Sequence, residues 1–315
     1  MFKSRAFCVH LRVAVLALFA YFSAFNVHAE YLSSSGLMSV SVQGQGQDIV
    51  LLPGLSSSSK VWSDLSDQLK DRYRLHAVDL AGFAGRPSVD TGKGSTLRKI
   101  AAEVTEYISA NELSNPILIG HSMGGLISLI IASEQGSNVG GVIVVDALPF
   151  YSLIFDPAST ENSARPIAER IRNDISRQTK GEFQAFSEAS LTRLVKSNEG
   201  KRIVMSDAVE SDPILIGELV YELMTTDLRP ALKDIKYPVS ILVAHDDSMG
   251  VSSRQVEMMY ENSYTSLQLR KILTISGALH FIMLDQPASF FSAIDCSLGW
   301  IDAGNSTSKC LVKEH

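Results

Sequence analysis

Short apolar runs alternate with amphipathic stretches along most of the chain. Strands are predicted at residues 48–52, 73–80, 117–119, 141–146, 239–244 and 267–275, and the short apolar runs at 48–52, 117–119 and 141–146 are typical of buried strands. Between them, apolar residues recur every three or four positions, as at Leu97, Ile100, Ala101, Val104 and Ile108, which predicts amphipathic helices. Strands that alternate with helices at this spacing predict an α/β fold, with a mostly parallel sheet covered by helices on both faces.

The alternation stops over residues 147–237, where the pattern is helical. Isoleucines lie four residues apart there, as at Ile167 and Ile171. We therefore predict a helical cap insertion in a core formed by residues 30–146 and 238–315. Ligands of parallel sheets bind beyond the carboxyl ends of the strands, so the cap would cover the binding crevice. Its aromatic residues and methionines predict a mainly apolar pocket.

The N-terminal segment carries the features of a targeting sequence. Basic residues, the last of them Arg12, precede an apolar run at residues 13–22, and Val27-His-Ala29 is a small-x-small cleavage pattern. These features predict a signal peptide over residues 1–29 and export to the periplasm or the medium. The apolar run is short for a transmembrane helix, so no stable membrane insertion is expected after cleavage. An uncleaved N-terminal anchor is the alternative.

Composition narrows the classes of partner and cofactor. The chain has 315 residues and a net charge of −6, which becomes −9 when the three basic residues of the signal peptide are removed. Nothing in this acidic balance indicates a nucleic-acid partner, and the oligomeric state stays open. Cys296 and Cys310 remain after cleavage, and an oxidising compartment would favour a disulfide between them. Neither a metal nor a cofactor is predicted, because no His/Cys cluster has the spacing of a metal site.

The strand at residues 117–119 leads into Gly120-His-Ser122-Met-Gly124, after which the chain continues as an apolar helix. Strand, tight turn and helix form the context in which Gly-x-Ser-x-Gly presents a nucleophilic serine. The N–H of Met123, at the start of the helix, would point toward an oxyanion that forms beside Ser122. We expect the second oxyanion N–H to come from Leu55, which follows a strand and Pro53-Gly54.

A nucleophilic serine needs a general base, and the base needs a third group that fixes its tautomer. His280 follows the last strand, on a loop that begins near Gly277, and is the expected base. Asp246 and Asp247 both follow the strand at residues 239–244, and either could be the acid. Asp79 and Asp146 also come at strand ends and could converge on the same crevice as Ser122.

Several ordered motifs resemble those of the α/β-hydrolase superfamily across most of residues 36–300. The motifs are Leu52-Pro-Gly-Leu55, Asp79-Leu-Ala-Gly82, Gly120-His-Ser122-Met-Gly124-Gly125, Ala244-His-Asp-Asp247 and Gly277-Ala-Leu-His280. Proline stands at position 53, where the family often has histidine. Ala244 stands where the family's Gly-x-x-Asp motif has glycine, and this resemblance implies Asp247 rather than Asp246 as the acid.

The resemblance implies an α/β-hydrolase fold and a serine hydrolase that acts on a carboxylic ester or a related small acyl compound. The signal-peptide pattern adds the expectation that this hydrolase is exported. Ser122 would attack the carbonyl and form an acyl-enzyme, with His280 as base, Asp247 as acid, and Leu55 and Met123 holding the oxyanion. A small-molecule binding protein on the same fold is the non-enzymatic alternative. Lyases, cofactor-free haloperoxidases and carbon–carbon bond hydrolases also keep the serine. The sequence does not identify the substrate or its acyl chain length.

Overall fold

The computed structural model describes residues 29–303. The predicted signal peptide therefore lies almost wholly outside the described residues, as does Cys310. Cys296, on the last helix, is disulfide-bonded, and its expected partner Cys310 is among the residues not described. Within residues 29–303, no helix is both long enough and apolar enough to cross a bilayer.

One eight-stranded sheet forms the centre of the molecule. Its strands are β1 (Ala29–Leu32), β2 (Met38–Gly44), β3 (Gln47–Leu52), β4 (Tyr73–Leu80), β5 (Ile117–His121), β6 (Gly141–Val145), β7 (Val239–His245) and β8 (Arg270–Ser276). They lie in the order β1-β2-β4-β3-β5-β6-β7-β8. The pairs β1–β2 and β2–β4 are antiparallel, and all later pairs are parallel. The predicted mostly parallel sheet is confirmed, and β1 is a strand that the sequence pattern did not indicate.

Helices cover both faces of the sheet, as predicted. The core helices are α1 (Ser63–Leu69), α2 (Thr96–Ala110), α3 (Met123–Ser133), α8 (Ser253–Ser263), α9 (Ile282–Asp285) and α10 (Pro287–Asp302). Successive residues of β3 face opposite sides: Val50 packs in the apolar cluster that includes α2 and α3, and Leu51 packs in the cluster that includes α1 and α10. A strand buried on both faces needs a continuous apolar run, which explains the sequence Ile-Val-Leu-Leu at residues 49–52.

The segment between β6 and β7 carries four α-helices and is called the cap below. They are α4 (Glu161–Ser176), α5 (Lys180–Leu191), α6 (Asn198–Ala208) and α7 (Pro213–Thr225). Two carboxylates tie the cap to the core. Glu222 of α7 accepts hydrogen bonds from the N–H groups of Thr96 (2.7 Å) and Leu97 (3.0 Å), which are orphan donors at the start of α2. Asp207 of α6 is buried and accepts the N–H of Ser58 at 3.0 Å. The cap is thereby fixed over the carboxyl ends of the strands.

Candidate active site

Ser122 lies at the tip of the turn between β5 and α3. Its backbone has φ 52° and ψ −116°, a conformation that non-glycine residues rarely adopt. The turn is held by the hydrogen bond from the Ser122 N–H to the carbonyl of Val145 in the neighbouring strand β6, at 2.9 Å. The strained turn lifts the serine side chain above the sheet edge, where it lines a cavity.

Gly124 allows the turn between β5 and α3, called the elbow below, to pack closely against the end of β3. A Cβ atom at residue 124 would lie 2.3 Å from the carbonyl oxygen of Leu52 and 2.7 Å from that of Pro53. Both contacts are with backbone, so neither can be relieved by a side-chain rotation. The small residue therefore brings the loop at Pro53–Leu55 against the N-terminus of α3.

We expect Gly124→Ala to destabilise the fold by about 3 kcal/mol, at the upper end of overpacking costs, because the backbone of β3 must shift. Gly299→Ala is the matched control: Gly299 is also helical, and a Cβ atom there would have no neighbour within 4 Å. The control should leave stability unchanged or slightly improved, since alanine favours helix more than glycine does. Urea denaturation of the two variants measures the difference. Equal midpoints would contradict this role of Gly124.

The two expected oxyanion donors both line the cavity beside Ser122. Met123 is the first residue of α3, so its N–H has no acceptor within the helix. Leu55 follows Gly54, and a Cβ atom at residue 54 would lie 3.3 Å from the Cβ atom of Ser122. The loop that carries Leu55 therefore passes directly over the serine. This arrangement suits two backbone donors converging on one oxygen atom.

His280 faces the same cavity and pairs with Asp146. Its Nδ1 atom lies 2.7 Å from Asp146 Oδ2. The other carboxylate oxygen, Oδ1, accepts the N–H of Ala244 and the hydroxyl of Tyr260, each at 3.0 Å. Burial raises the pKa of Tyr260 well above its ordinary value, so its hydroxyl stays protonated and donates. Three donors thus hold Asp146 in one orientation, as a carboxylate that fixes a histidine requires.

The predicted pairing of His280 with Asp247 is wrong, and Asp246 does not replace it. Asp247 is exposed on a short 3₁₀ turn, Asp247–Met249, that follows β7. Asp246 caps this turn through the Ser248 N–H and pairs with Lys196 of the cap. The Lys196 ammonium holds the pKa of Asp246 at about 2. Asp246 is therefore paired elsewhere and Asp247 faces solvent, and the carboxylate that pairs with His280 lies at the end of β6 rather than β7.

His121, the residue before Ser122, links the turn between β5 and α3 to the loop of His280. The side chain is fully buried, and its Nε2 atom lies 3.0 Å from the backbone carbonyl oxygen of His280. Burial, and secondly the neighbouring His280, lower the pKa of His121 well below its ordinary value, so the ring is neutral near pH 7. Nε2 then carries the ring proton and donates a hydrogen bond to the carbonyl oxygen of His280. Nδ1 has no hydrogen-bond partner among residues 29–303.

We expect His121→Leu to lower kcat about tenfold to a hundredfold, because the loop of His280 loses this donor and small misplacements are costly in catalysis. His121→Gln, whose amide can donate to the same carbonyl, should restore part of the loss. Steady-state kinetics of both variants check this expectation. An equal loss of kcat in the two would show that ring packing, and not the hydrogen bond, is what matters.

The cavity that Ser122 and His280 share has a volume of about 760 Å³. Its walls are mainly apolar and come from both the sheet edge and the cap, as the sequence predicted. Cap residues Ile171, Phe183 and Leu223 lie on one side, and core residues Leu126 and Met259 on the other. This size falls within the range of sites that enclose a small organic ligand. Within residues 29–303, no group of three or more His, Cys, Asp or Glu side chains could hold a metal ion.

A family model described as the alpha/beta hydrolase family matches residues 49–293, which is well over half of the chain. The chain belongs to this family. The match runs from β3 to α10, so it includes the elbow, Asp146 and His280. The match confirms the family that the sequence resembled.

Curated relatives and solved structures agree with this assignment. Pimeloyl-[acyl-carrier protein] methyl ester esterase from Yersinia pseudotuberculosis serotype O:1b is 29% identical over 261 residues, covering 80% of this chain and 93% of the relative. The Sodalis glossinidius enzyme of the same name is 29% identical over 258 residues, covering 79% and 92%. A hydrolase from Pseudomonas aeruginosa has a TM-score of 0.70 at 16% identity, covering 86% of this chain and 98% of the other. A thermophilic esterase from Thermogutta terrifontis has a TM-score of 0.68 at 18% identity, covering 87% and 98%. These structural matches show the fold.

Proposed function

We propose that the protein is an exported serine hydrolase that cleaves a carboxylic ester through Ser122, His280 and Asp146. The observation that carries the proposal is the strained backbone of Ser122 in the same cavity as a histidine fixed by a carboxylate at 2.7 Å. Backbone strain of this kind persists where the surrounding structure enforces it, and it clusters at active sites. The names of the esterase relatives support the same chemistry. Export rests on the N-terminal sequence pattern.

The hydrogen bonds of Asp146 assign the proton positions for the first step. Asp146 accepts the Nδ1–H of His280, so the lone pair of the imidazole is at Nε2. As Ser122 Oγ attacks the ester carbonyl carbon, Nε2 takes the hydroxyl proton. The carbonyl oxygen becomes an oxyanion, which the N–H groups of Leu55 and Met123 stabilise. The protonated His280 then donates to the leaving alkoxide, and the acyl group remains on Ser122.

Water completes the cycle by the same route in reverse. His280 Nε2 removes a proton from the water as its oxygen attacks the acyl carbon, and a second oxyanion forms in the same position. Collapse of this intermediate returns the proton to Ser122 Oγ and releases the carboxylic acid. In each step one proton passes through the Nε2 atom of His280. The proposed cycle therefore uses only the ester, a water molecule and residues of this chain.

The proposal is tested by the hydrolysis of p-nitrophenyl esters with acyl chains from C2 to C12. We expect turnover of at least part of this series, with a chain-length optimum set by the apolar cavity. The chain-length profile also sizes the acyl pocket. Absence of turnover across the series, together with no reaction of Ser122 with a fluorophosphonate, would contradict the proposal and favour a binding protein on this fold.

A further inference from the structure

Exposed hydrophobic side chains concentrate around the mouth of the cavity. Of the ten large hydrophobic residues that are exposed within residues 29–303, five line this one cavity. They are Ile154, Phe155, Phe186, Met249 and Val251, called the rim below. Single exposed hydrophobic residues need no explanation, but a cluster around one opening indicates an apolar partner.

The rim is built from three separate parts of the chain. Ile154 and Phe155 follow β6, Phe186 belongs to cap helix α5, and Met249 and Val251 lie between β7 and α8. The exposed fraction is 64% for Phe155 and 42% for Phe186. Since the same residues line the cavity, the apolar surface is continuous from the solvent to the neighbourhood of Ser122.

This continuity restricts what can cover the rim. A second copy of the chain, or a protein partner seated on the rim, would close the mouth through which a substrate must pass. A lipid surface covers the rim and leaves the mouth open to an acyl chain that moves from the lipid into the cavity. Such a chain stays in apolar surroundings throughout, so it is never exposed to water.

Charge at the mouth fits a phospholipid. Arg193 is exposed and is the one lysine or arginine of residues 29–303 that lines the cavity, and it has no ion-pair partner among them. It lies beside the catalytic loop, since the carbonyl of Leu194 accepts the N–H of Phe281 at 3.1 Å. An unpaired guanidinium at an apolar mouth complements a phosphate headgroup. Asp156 and Asp247 are exposed next to the rim, so additional anionic lipid should bring no gain.

We propose that the rim docks on a phospholipid surface and that the substrate is a long-chain acyl ester drawn from that surface. The docking is peripheral and depends on buried apolar area, with Arg193 on a phosphate group. The substrate class rests on the proposed ester hydrolysis, whereas the docking does not. The docking proposal and the hydrolase proposal can therefore fail independently, and a separate measurement detects the failure of each.

Site-resolved fluorescence quenching tests the docking. The native tryptophans, Trp62 and Trp300, are both buried, so a new tryptophan reports on its own position. Phe155→Trp and Ile214→Trp are compared in full-length protein that also carries Ser122→Ala, so that lipid is not consumed. With vesicles of brominated phosphatidylcholine, we expect strong quenching at residue 155 and little at residue 214, which is exposed away from the cavity. The N-terminal apolar segment is identical in both proteins and cannot produce the difference.

A matched pair of polar substitutions measures the contribution of the rim. Ile154→Ser should lower the partition onto phosphatidylcholine vesicles roughly tenfold, since an apolar side chain is lost from the contact. Ile214→Ser, which changes a similarly exposed isoleucine outside the rim, should leave the partition unchanged. Binding of the parent protein should persist at 0.5 M NaCl, because apolar burial and not net charge supports it.

Three results would overturn the docking proposal. The first is equal quenching at residues 155 and 214, and the second is an equal effect of the two serine substitutions. The third is a dimer that Ile154→Ser dissociates, which would assign the rim to a second copy of the chain. If Ser122 of the wild-type protein still reacts with a fluorophosphonate in any of these cases, the hydrolase proposal stands without the lipid surface. If docking is observed but Ser122 does not react with the fluorophosphonate, the docking proposal stands without the hydrolase proposal.

Discussion

Ser122→Ala is expected to lower kcat for an ester substrate by roughly a millionfold, the largest effect of any single substitution in this protein. The variant keeps the cavity, the oxyanion donors and the His280–Asp146 pair, but it has no atom that can form the acyl-enzyme. The loss should fall on kcat and leave KM little changed, because the substrate still binds in the same cavity. Initial rates with the best p-nitrophenyl ester provide the measurement.

Two controls make this expectation specific. The alanine variant should unfold at a denaturant concentration close to that of the wild type, since one hydroxyl group at the cavity wall is all that is removed. Ser56→Ala changes another serine that lines the cavity and should keep turnover within a few-fold. Retention of more than a few per cent of the activity by Ser122→Ala would mean that another group is the nucleophile.

Asp146→Asn is expected to lower kcat about ten-thousandfold by reversing the tautomer of His280. Both partners of Asp146 Oδ1, the Ala244 N–H and the Tyr260 hydroxyl, are donors, so the oxygen of an asparagine would occupy that position. Its NH₂ group would then face His280 Nδ1 and donate to it. The imidazole proton would move to Nε2, and the lone pair that Ser122 needs would be lost.

Asp247→Asn is the matched control for this substitution and should leave kcat unchanged. Its side chain is exposed after β7, and His280 Nδ1 is paired with Asp146 instead. The pair of variants therefore decides between the acid that the structure indicates and the acid that the sequence motif implied. A large loss in Asp247→Asn with little loss in Asp146→Asn would require the loop after β7 to rearrange in the working enzyme.

The strand and helix pattern of the core could be predicted because each buried element leaves a local periodic signal. The apolar runs of β3, β5 and β6 fall where predicted. β1 was missed because Ala29–Leu32 is a short edge strand that overlaps the end of the predicted signal peptide. The signal peptide, the domain boundaries and the pairing of Cys296 with Cys310 stay predictions.

The acid could not be chosen from the sequence because the choice depends on where one loop points. Asp146 and Asp247 both follow Ser122 and precede His280, and each comes after a buried strand, β6 or β7. β6 and β7 are neighbours in the sheet, so their carboxyl ends lie side by side and the loop of His280 can face either one. Spacing along the chain carries no information about that direction. The signal that was available is the position of Asp146 directly after the β6 run Gly-Val-Ile-Val-Val.

Covalent labelling of Ser122 tests the central claim most directly, because it needs no knowledge of the natural substrate. Wild-type protein is treated with a fluorophosphonate, digested and examined by mass spectrometry, beside Ser122→Ala and Asp146→Asn. The account predicts one adduct on the peptide that contains Ser122, none in the alanine variant, and much slower labelling in Asp146→Asn. An unmodified Ser122 in folded wild-type protein, or labelling as fast in Asp146→Asn as in the wild type, would contradict it.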